Sequence, residues 1–196
     1  MLSTGSKIRL ATAADEAEVI TMVRLMHGES GLFSLDIDRV RETLSRAWER
    51  KGGSLWVIGQ PGNIRAMLYI TIDMAWYTRD THLGEVFCWV HPQHRNSDYA
   101  KLLIQHAKEC SDKTSARAGF KVPLMMGVLT GNRMAAKVRL YRRFFGLPVG
   151  AFFLHNADWV GKHEPTSEDF FRVPSVAKWF RKRTERADRK RERIGA

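Results

Sequence analysis

The sequence predicts an α/β fold, a mixed sheet covered by helices on both faces, and three observations carry that expectation. Apolar residues recur with period two in some segments and period 3.6 in others. Those segments run in the order β-α-α-β-β-β-α-β-α-β, and three consecutive strands followed by alternating helices and strands suit a mixed sheet buried on both sides. The chain also has 196 residues, 44% hydrophobic and 27% charged, enough for a domain that buries its core without a disulfide or metal staple.

Residues 7–12 (KIRLAT) alternate and predict a short first strand. Residues 13–26 follow as a helix, with Asp15 and Glu16 in the first turn, where acids favour a helix N-terminus, and Val19, Val23 and Met26 at helical spacing. Residues 28–34 break the pattern. A second helix over 36–50 carries Ile37, Val40, Leu44 and Trp48 on one face. Strands at 54–59 and 64–77 flank the turn residues Pro61-Gly62-Asn63 and predict a hairpin. A strand at 83–91 leads to a helix at 97–118 striped by Tyr99, Leu102, Leu103, His106 and Cys110. A buried strand at 122–129, a helix at 132–145 with Met134, Val138, Tyr141 and Phe145 on one side, and a strand at 149–155 complete the order. No internal repeat is visible.

Cys88 and Cys110 are the only cysteines, which fits a reducing compartment and argues against a disulfide scaffold or a cysteine zinc site. Cys88 alternates with Phe87 and Trp89 and reads as core. His82, His91, His94, His106, His155 and His163 have no paired ligand spacing, so no metal is expected. With no apolar signal core and no run of ~20 apolar residues, a soluble, cytoplasmic protein without membrane partners is expected.

The net charge is +11, and residues 176–196 hold nine Lys or Arg against Glu185, Asp188 and Glu192. Lys178-Trp179-Phe180-Arg181-Lys182-Arg183 mixes aromatics with bases, after a linker-like stretch at 165–169. This tail is either a docking arm for nucleic acid, an acidic protein or a substrate complex, or a solvated helix supported by its own Glu–Arg pairs.

The chemistry concentrates at Val90-His91-Pro92-Gln93-His94-Arg95-Asn96-Ser97-Asp98-Tyr99-Ala100. A buried strand ends at a proline, a basic turn follows, and a helix begins. A helix start offers unpaired N–H groups and partial positive charge to an anion, and Arg95 adds a permanently charged planar donor. On spacing alone the segment is either a phosphate grip or an ordinary turn with an exposed arginine.

The pattern V-x-P-x-x-R-x-x-D-x-A over Val90–Ala100 resembles the V-x-P-x-x-[RQ]-x-x-G-x-[GA] motif of the Gcn5-related N-acetyltransferase (GNAT) superfamily. Downstream, Asn132, Ala135 and the run Leu140-Tyr141-Arg142-Arg143-Phe144-Phe145-Gly146 are similar to that family's N-x-x-A…L-Y-x-x-x-G helix. The likeness covers roughly 7–156. It implies a mixed, mostly antiparallel sheet flanked by helices in a 1–156 domain, with 157–196 a linker and basic extension. The co-substrate it implies is acetyl-CoA or another acyl-CoA. The backbone of Phe87, Cys88, Trp89 and Val90 would pair with the pantetheine arm. Arg95, Asn96, Ser97, Asp98, Tyr99 and Ala100 would surround the diphosphate, Asn132 would contact the arm, and Tyr141 would act as general acid to the leaving thiolate. The same helix stripe would also place Tyr141 in the core.

One departure stands out. Asp98 occupies the motif's glycine position, adding a Cβ and a negative charge beside the anion. Either its carboxylate turns away toward the helix start, leaving Asn96 and Ser97 as donors, or the site is weakened.

The resemblance also implies an amine acceptor and a base. Glu85 is one candidate, expected by period two to share a face with Phe87 and Trp89, where burial would raise its pKa. His27, Glu29 and Ser30 join the first two helices, the region that lines the acceptor cleft in this superfamily, and Glu29 is the second candidate base. His27 could equally serve the last carbonyls of its helix. His27 to Ser30 and the LYRRFFGLPVGAFF run resemble phage-encoded members. Two alternatives to an N-acyltransferase are open: a non-catalytic GNAT-fold protein acting on nucleic acid or transcription machinery through its tail, and a CoA-dependent modifier of a nucleobase.

Overall fold

The computed structural model describes residues 8–130 and 133–150. Five strands form one sheet in the order β1-β2-β3-β4-β5, with β1 Ile8–Leu10, β2 Gly53–Gln60, β3 Asn63–Met74, β4 Thr81–Val90 and β5 Leu124–Met125. Neighbouring strands are antiparallel except β4 and β5, which run parallel. The helices are α1 Glu16–Ser30, α2 Ile37–Trp48, α3 Tyr99–Ala118 and α4 Met134–Phe145. The mixed, mostly antiparallel sheet with flanking helices is the fold class expected.

The chain divides into two compact units, Met1–Gly28 with Ser34–Gly127, and Glu29–Phe33 with Val128–Ala196. In the first, one apolar cluster joins Val19, Met22 and Val23 of α1 and Leu44 of α2 to Val57 and Met67 of the sheet. Ile37, Val40 and Trp48 pack against it, so the stripe read along α2 is its buried face. A second cluster joins Ala66, Leu68 and Ile70 to Tyr99, Leu103 and Ala107 of α3. Leu102, expected in the α3 stripe, is exposed.

Local chemistry sets the element ends. Thr12 begins a single 3-10 turn over Ala13–Asp15. There the Asp15 carboxylate accepts from the Thr12 N–H (2.9 Å) and from Arg9 Nη1 and Nη2 (2.8 and 2.7 Å). Asp36 caps α2 by accepting from the N–H groups of Asp38 and Arg39. Gly59 sits at φ +124° where the β2–β3 register shifts, and a Cβ there would lie 2.1 Å from the Asn63 carbonyl oxygen, so this bulge requires glycine.

The elements depart from expectation in several places, β3 for one ending at Met74 and not at 77. α1 continues through Gly28 to Ser30, because glycine inside a helix costs only about 1 kcal/mol. β5 is two residues rather than eight. β4 carries a bulge: Tyr69 pairs with Phe87 but Ile70 pairs with Glu85, leaving Val86 unmatched and exposed. Asn132, residues 151–155 of the last expected strand, the boundary at 156, the linker and the basic tail lie outside the described residues.

Candidate active site

β4 ends at Val90, and the chain turns into α3 through eight residues held almost entirely by local bonds. The His91 N–H donates to the Arg65 carbonyl (2.9 Å), one further rung beyond the β3–β4 ladder. Pro92–His94 form a 3-10 turn whose first N–H is absent by virtue of Pro92, and His91 Nδ1 accepts from the Gln93 N–H (3.3 Å). Arg95 folds back: its Nε–H donates to the Val90 carbonyl (3.3 Å), and its guanidinium carbon lies 5.7 Å from the Trp89 ring centroid.

Ser97 closes the turn. Its hydroxyl donates to the His94 carbonyl and accepts from the Tyr99 N–H. Asp98 makes no cap with its side chain; the carboxylate instead pairs with Lys101 Nζ. At φ −84°, ψ 9° Asp98 has a backbone that any residue adopts, so this position does not demand glycine for its conformation. The Leu102 N–H bonds to the Asp98 carbonyl (3.0 Å), which places the N–H groups of Tyr99, Ala100 and Lys101 ahead of the first full helical turn. The Tyr99 N–H is taken by Ser97, which leaves the N–H groups of Ala100 and Lys101 at a helix start of the kind that favours an anion.

Not every expected ligand contributes a side chain. Tyr99 is 7% exposed and belongs to the second core cluster, and its N–H is engaged by Ser97, so its part is to anchor the helix start. Phe87 and Trp89 pack against the first cluster and Cys88 and Val90 against the second, leaving their backbones as the contact points. Asn96 and Ser97 are exposed.

The Val86 bulge changes the placement of Glu85. Period two puts Glu85 with Phe87 and Trp89, but the unmatched residue shifts the phase. Glu85 pairs with Ile70 and shares its face, whereas Phe87 pairs with Tyr69, ring centroids 5.8 Å apart, on the other. Glu85 Oε2 accepts from the Gly127 N–H (3.3 Å) beyond β5. The aromatic surroundings expected for this carboxylate are therefore on the opposite face.

His27 lies in the last turn of α1, not in a loop, and Glu29 and Ser30 end the same helix. Glu29 and Ser30 fall in the second unit, together with Tyr141. Tyr141 is 7% exposed, edge-on to Phe145 (6.0 Å), with Lys137 Nζ 5.2 Å from its ring centroid. Gly146 ends α4 at φ +80°, ψ −143°, one residue later than the glycine of the L-Y-x-x-x-G pattern, whose place Phe145 takes.

Spacing arguments missed three groups. Arg65 reaches the loop from β3 with Nη1 donating to Tyr99 Oη (3.1 Å). Lys101, one turn into α3, meets Asp98. His91, Gln93 and His94 line an open cleft of about 210 Å³ with Glu18, Met22 and the turn at Gly62–Ile64. Burial, with the nearby charges of Arg65 and His91, lowers the pKa of His94 from its ordinary value. Period two along β3 could have flagged Arg65, an arginine flanked by Ile64 and Ala66.

A mostly antiparallel central sheet with a parallel β4–β5 pair, and a strand-turn-helix passage from β4 to α3, give the fold that the sequence leads one to expect. The sequence profile of the Acetyltransferase (GNAT) family matches residues 22–147, and the chain belongs to that family. Its fold is similar to that of aminoglycoside antibiotic 6'-N-acetyltransferase AAC(6')-Ig from Acinetobacter haemolyticus, at 16% identity and TM-score 0.55 over 76% of this chain and 95% of that one. It is similar to AAC(6')-Iy in complex with a CoA bisubstrate analogue, at 11% identity and TM-score 0.57 over 76% and 96%. A Trypanosoma brucei acetyltransferase matches at 16% identity and TM-score 0.53 over 76% and 96%. No curated protein matches the sequence. Among the described residues, no helix is long and apolar enough to cross a membrane.

Proposed function

We propose that the protein is an acyl-CoA-dependent N-acyltransferase that transfers an acyl group, acetyl in the simplest case, to an amine. The observation that carries this reading is the β4–α3 turn, which brings Arg95 and the first N–H groups of α3 into one short stretch in a chain of the GNAT family. The residues fit a CoA diphosphate because Asp98 engages Lys101 and has an unstrained backbone. The N–H groups of Ala100 and Lys101 and the Arg95 guanidinium would hold the phosphates, and the backbone of 87–90 and Asn132 would hold the pantetheine arm.

In the reaction the amine nitrogen bonds to the thioester carbonyl carbon and the C–S bond breaks. Tyr141 would give its phenolic proton to the departing thiolate, and Glu85 or Glu29 would take a proton from the amine. One structural neighbour is named as an aminoglycoside antibiotic 6'-N-acetyltransferase, and another is in complex with the bisubstrate analogue CoA-S-monomethyl-acetylneamine, which supports an amine-bearing acceptor at the level of chemical class. His27, Glu29 and Ser30 are our candidates for contacting it.

Acetyl-CoA at one hundred times Kd should add about 2.7 kcal/mol of stability and raise the melting temperature. Absence of any shift, together with no thiol release in the presence of a panel of amines, would sink the reading. A second reading rests on the excess of bases in 176–196 and on Asp98 in the glycine position. In it the protein binds nucleic acid or an acidic protein through its tail. It is favoured if deleting 176–196 abolishes a salt-sensitive complex while CoA never binds. Transfer to a nucleobase is separated from both by labelled acetyl appearing in a nucleic-acid fraction.

A further inference from the structure

We infer that Arg65 is a positioning residue for the cofactor turn, a strut that ties the strand entering it to the helix leaving it. The inference rests on the cofactor reading above but concerns a residue outside the family motif. Arg65 touches both ends of the turn. Its carbonyl accepts from the His91 N–H (2.9 Å), and its Nη1 donates to Tyr99 Oη (3.1 Å). Between those two anchors lies Arg95, and directly after the second come Ala100 and Lys101, the residues that would meet the diphosphate.

The anchor at Tyr99 is firm. Tyr99 is a buried member of the cluster built by Leu103, Ala107 and Leu68, so a bond to its hydroxyl ties the guanidinium to the rigid start of α3. Arg65 Nε is also buried and has no hydrogen-bond partner among the described residues. An arginine held this way is expensive, and nothing in the sheet requires it there, since strand pairing uses only its backbone. Its charge helps to lower the pKa of His94, which stands between the two anchors with its ring tilted 49° to that of Tyr99, centroids 6.0 Å apart. Without the strut, the turn would depend on its own short-range bonds, and the N–H groups of Ala100 and Lys101 would lose their fixed direction relative to β4.

The test uses full-length Arg65→Met, Tyr99→Phe and the double variant. Amide hydrogen exchange of residues 91–101 is measured first. Each single change should speed exchange there about fivefold or more while β2 and β3 keep their protection, and the double variant should add little, as for two ends of one contact. Unchanged exchange in 91–101 overturns the inference whatever the protein binds. CoA and pantetheine affinities are then compared by calorimetry. CoA, which carries the diphosphate, should bind about tenfold more weakly to both single variants, a loss of about 1.4 kcal/mol, with pantetheine affected less than twofold. Arg65→Lys, which keeps the charge but not the reach, should restore only part of the CoA affinity. Full restoration by lysine with no effect of Tyr99→Phe would mean a direct charge effect and overturn the strut. If the parent itself ignores CoA, the cofactor reading fails, while the exchange data still decide whether Arg65 holds the turn.

Discussion

The Arg9 guanidinium meets the Asp15 carboxylate through two parallel hydrogen bonds of 2.8 and 2.7 Å, and Asp15 is 1% exposed. The hydrogen bond from Arg9 outweighs burial and, with the Thr12 bonds, holds the Asp15 carboxyl below the usual carboxylate range. A depressed folded pKa contributes stability that is present above the unfolded value, near ~3.9, and is lost as pH falls through the folded value. Asp15→Asn should therefore cost about 3 kcal/mol at pH 7, and its deficit against the parent should shrink below about pH 4. Urea titrations from pH 7 to 3 check this; a gap that does not change with pH would count against it.

Two glycines should respond in opposite directions. Gly59→Ala places a methyl where the Asn63 carbonyl already stands, at a positive φ, and should destabilise by roughly 2–4 kcal/mol. Gly28, inside α1 with nothing within 4 Å of a would-be Cβ, should accept alanine with a gain of about 0.5–1 kcal/mol. Thermal melts of the two variants suffice to compare them.

Asp98→Asn removes a negative charge from the rim of the turn and releases Lys101 from its ion pair. CoA should then bind about three- to fivefold more tightly, the scale of an exposed charge pair. Calorimetry reads this directly, and weaker binding would show that the Asp98 carboxylate supports the turn.

Tyr141→Phe should reduce kcat about a hundredfold or more with little change in CoA affinity if the phenol protonates the thiolate. Equal turnover by the two proteins would assign Tyr141 to packing against Phe145 and Lys137 alone.

Glu85→Gln and Glu29→Gln separate the two candidate bases. The true base should lose roughly a hundredfold in kcat at neutral pH and recover with acceptors of lower amine pKa. The other substitution should leave turnover within a factor of two.

Long periodic elements were legible in the sequence. Ile37, Val40, Leu44 and Trp48 mark the buried side of α2 without help from context, because a 3.6-residue stripe has one solution. Features that depend on a partner strand were not. The phase of β4 is decided by pairing with β3, so Glu85 could not be placed from alternation alone. The helix running past Gly28 reflects packing overriding a modest local preference. The turn at 91–98 was found because proline, arginine and a helix start lie close in sequence, whereas Arg65, some thirty residues earlier, meets it only through the fold.

The unmatched Val86 gives β4 a property that no single side chain carries. Because it is exposed, replacing it by threonine or isoleucine should pass almost unnoticed. Deleting it would leave Glu85 next to Phe87, opposite the adjacent Ile70 and Tyr69, with every other side chain of β4 on the face it already occupies. What would go is the local kink and extra twist of the bulge, while the turn after Val90 keeps its register on β3. A library of single deletions should show Val86 as a tolerated gap among less tolerant neighbours in β4.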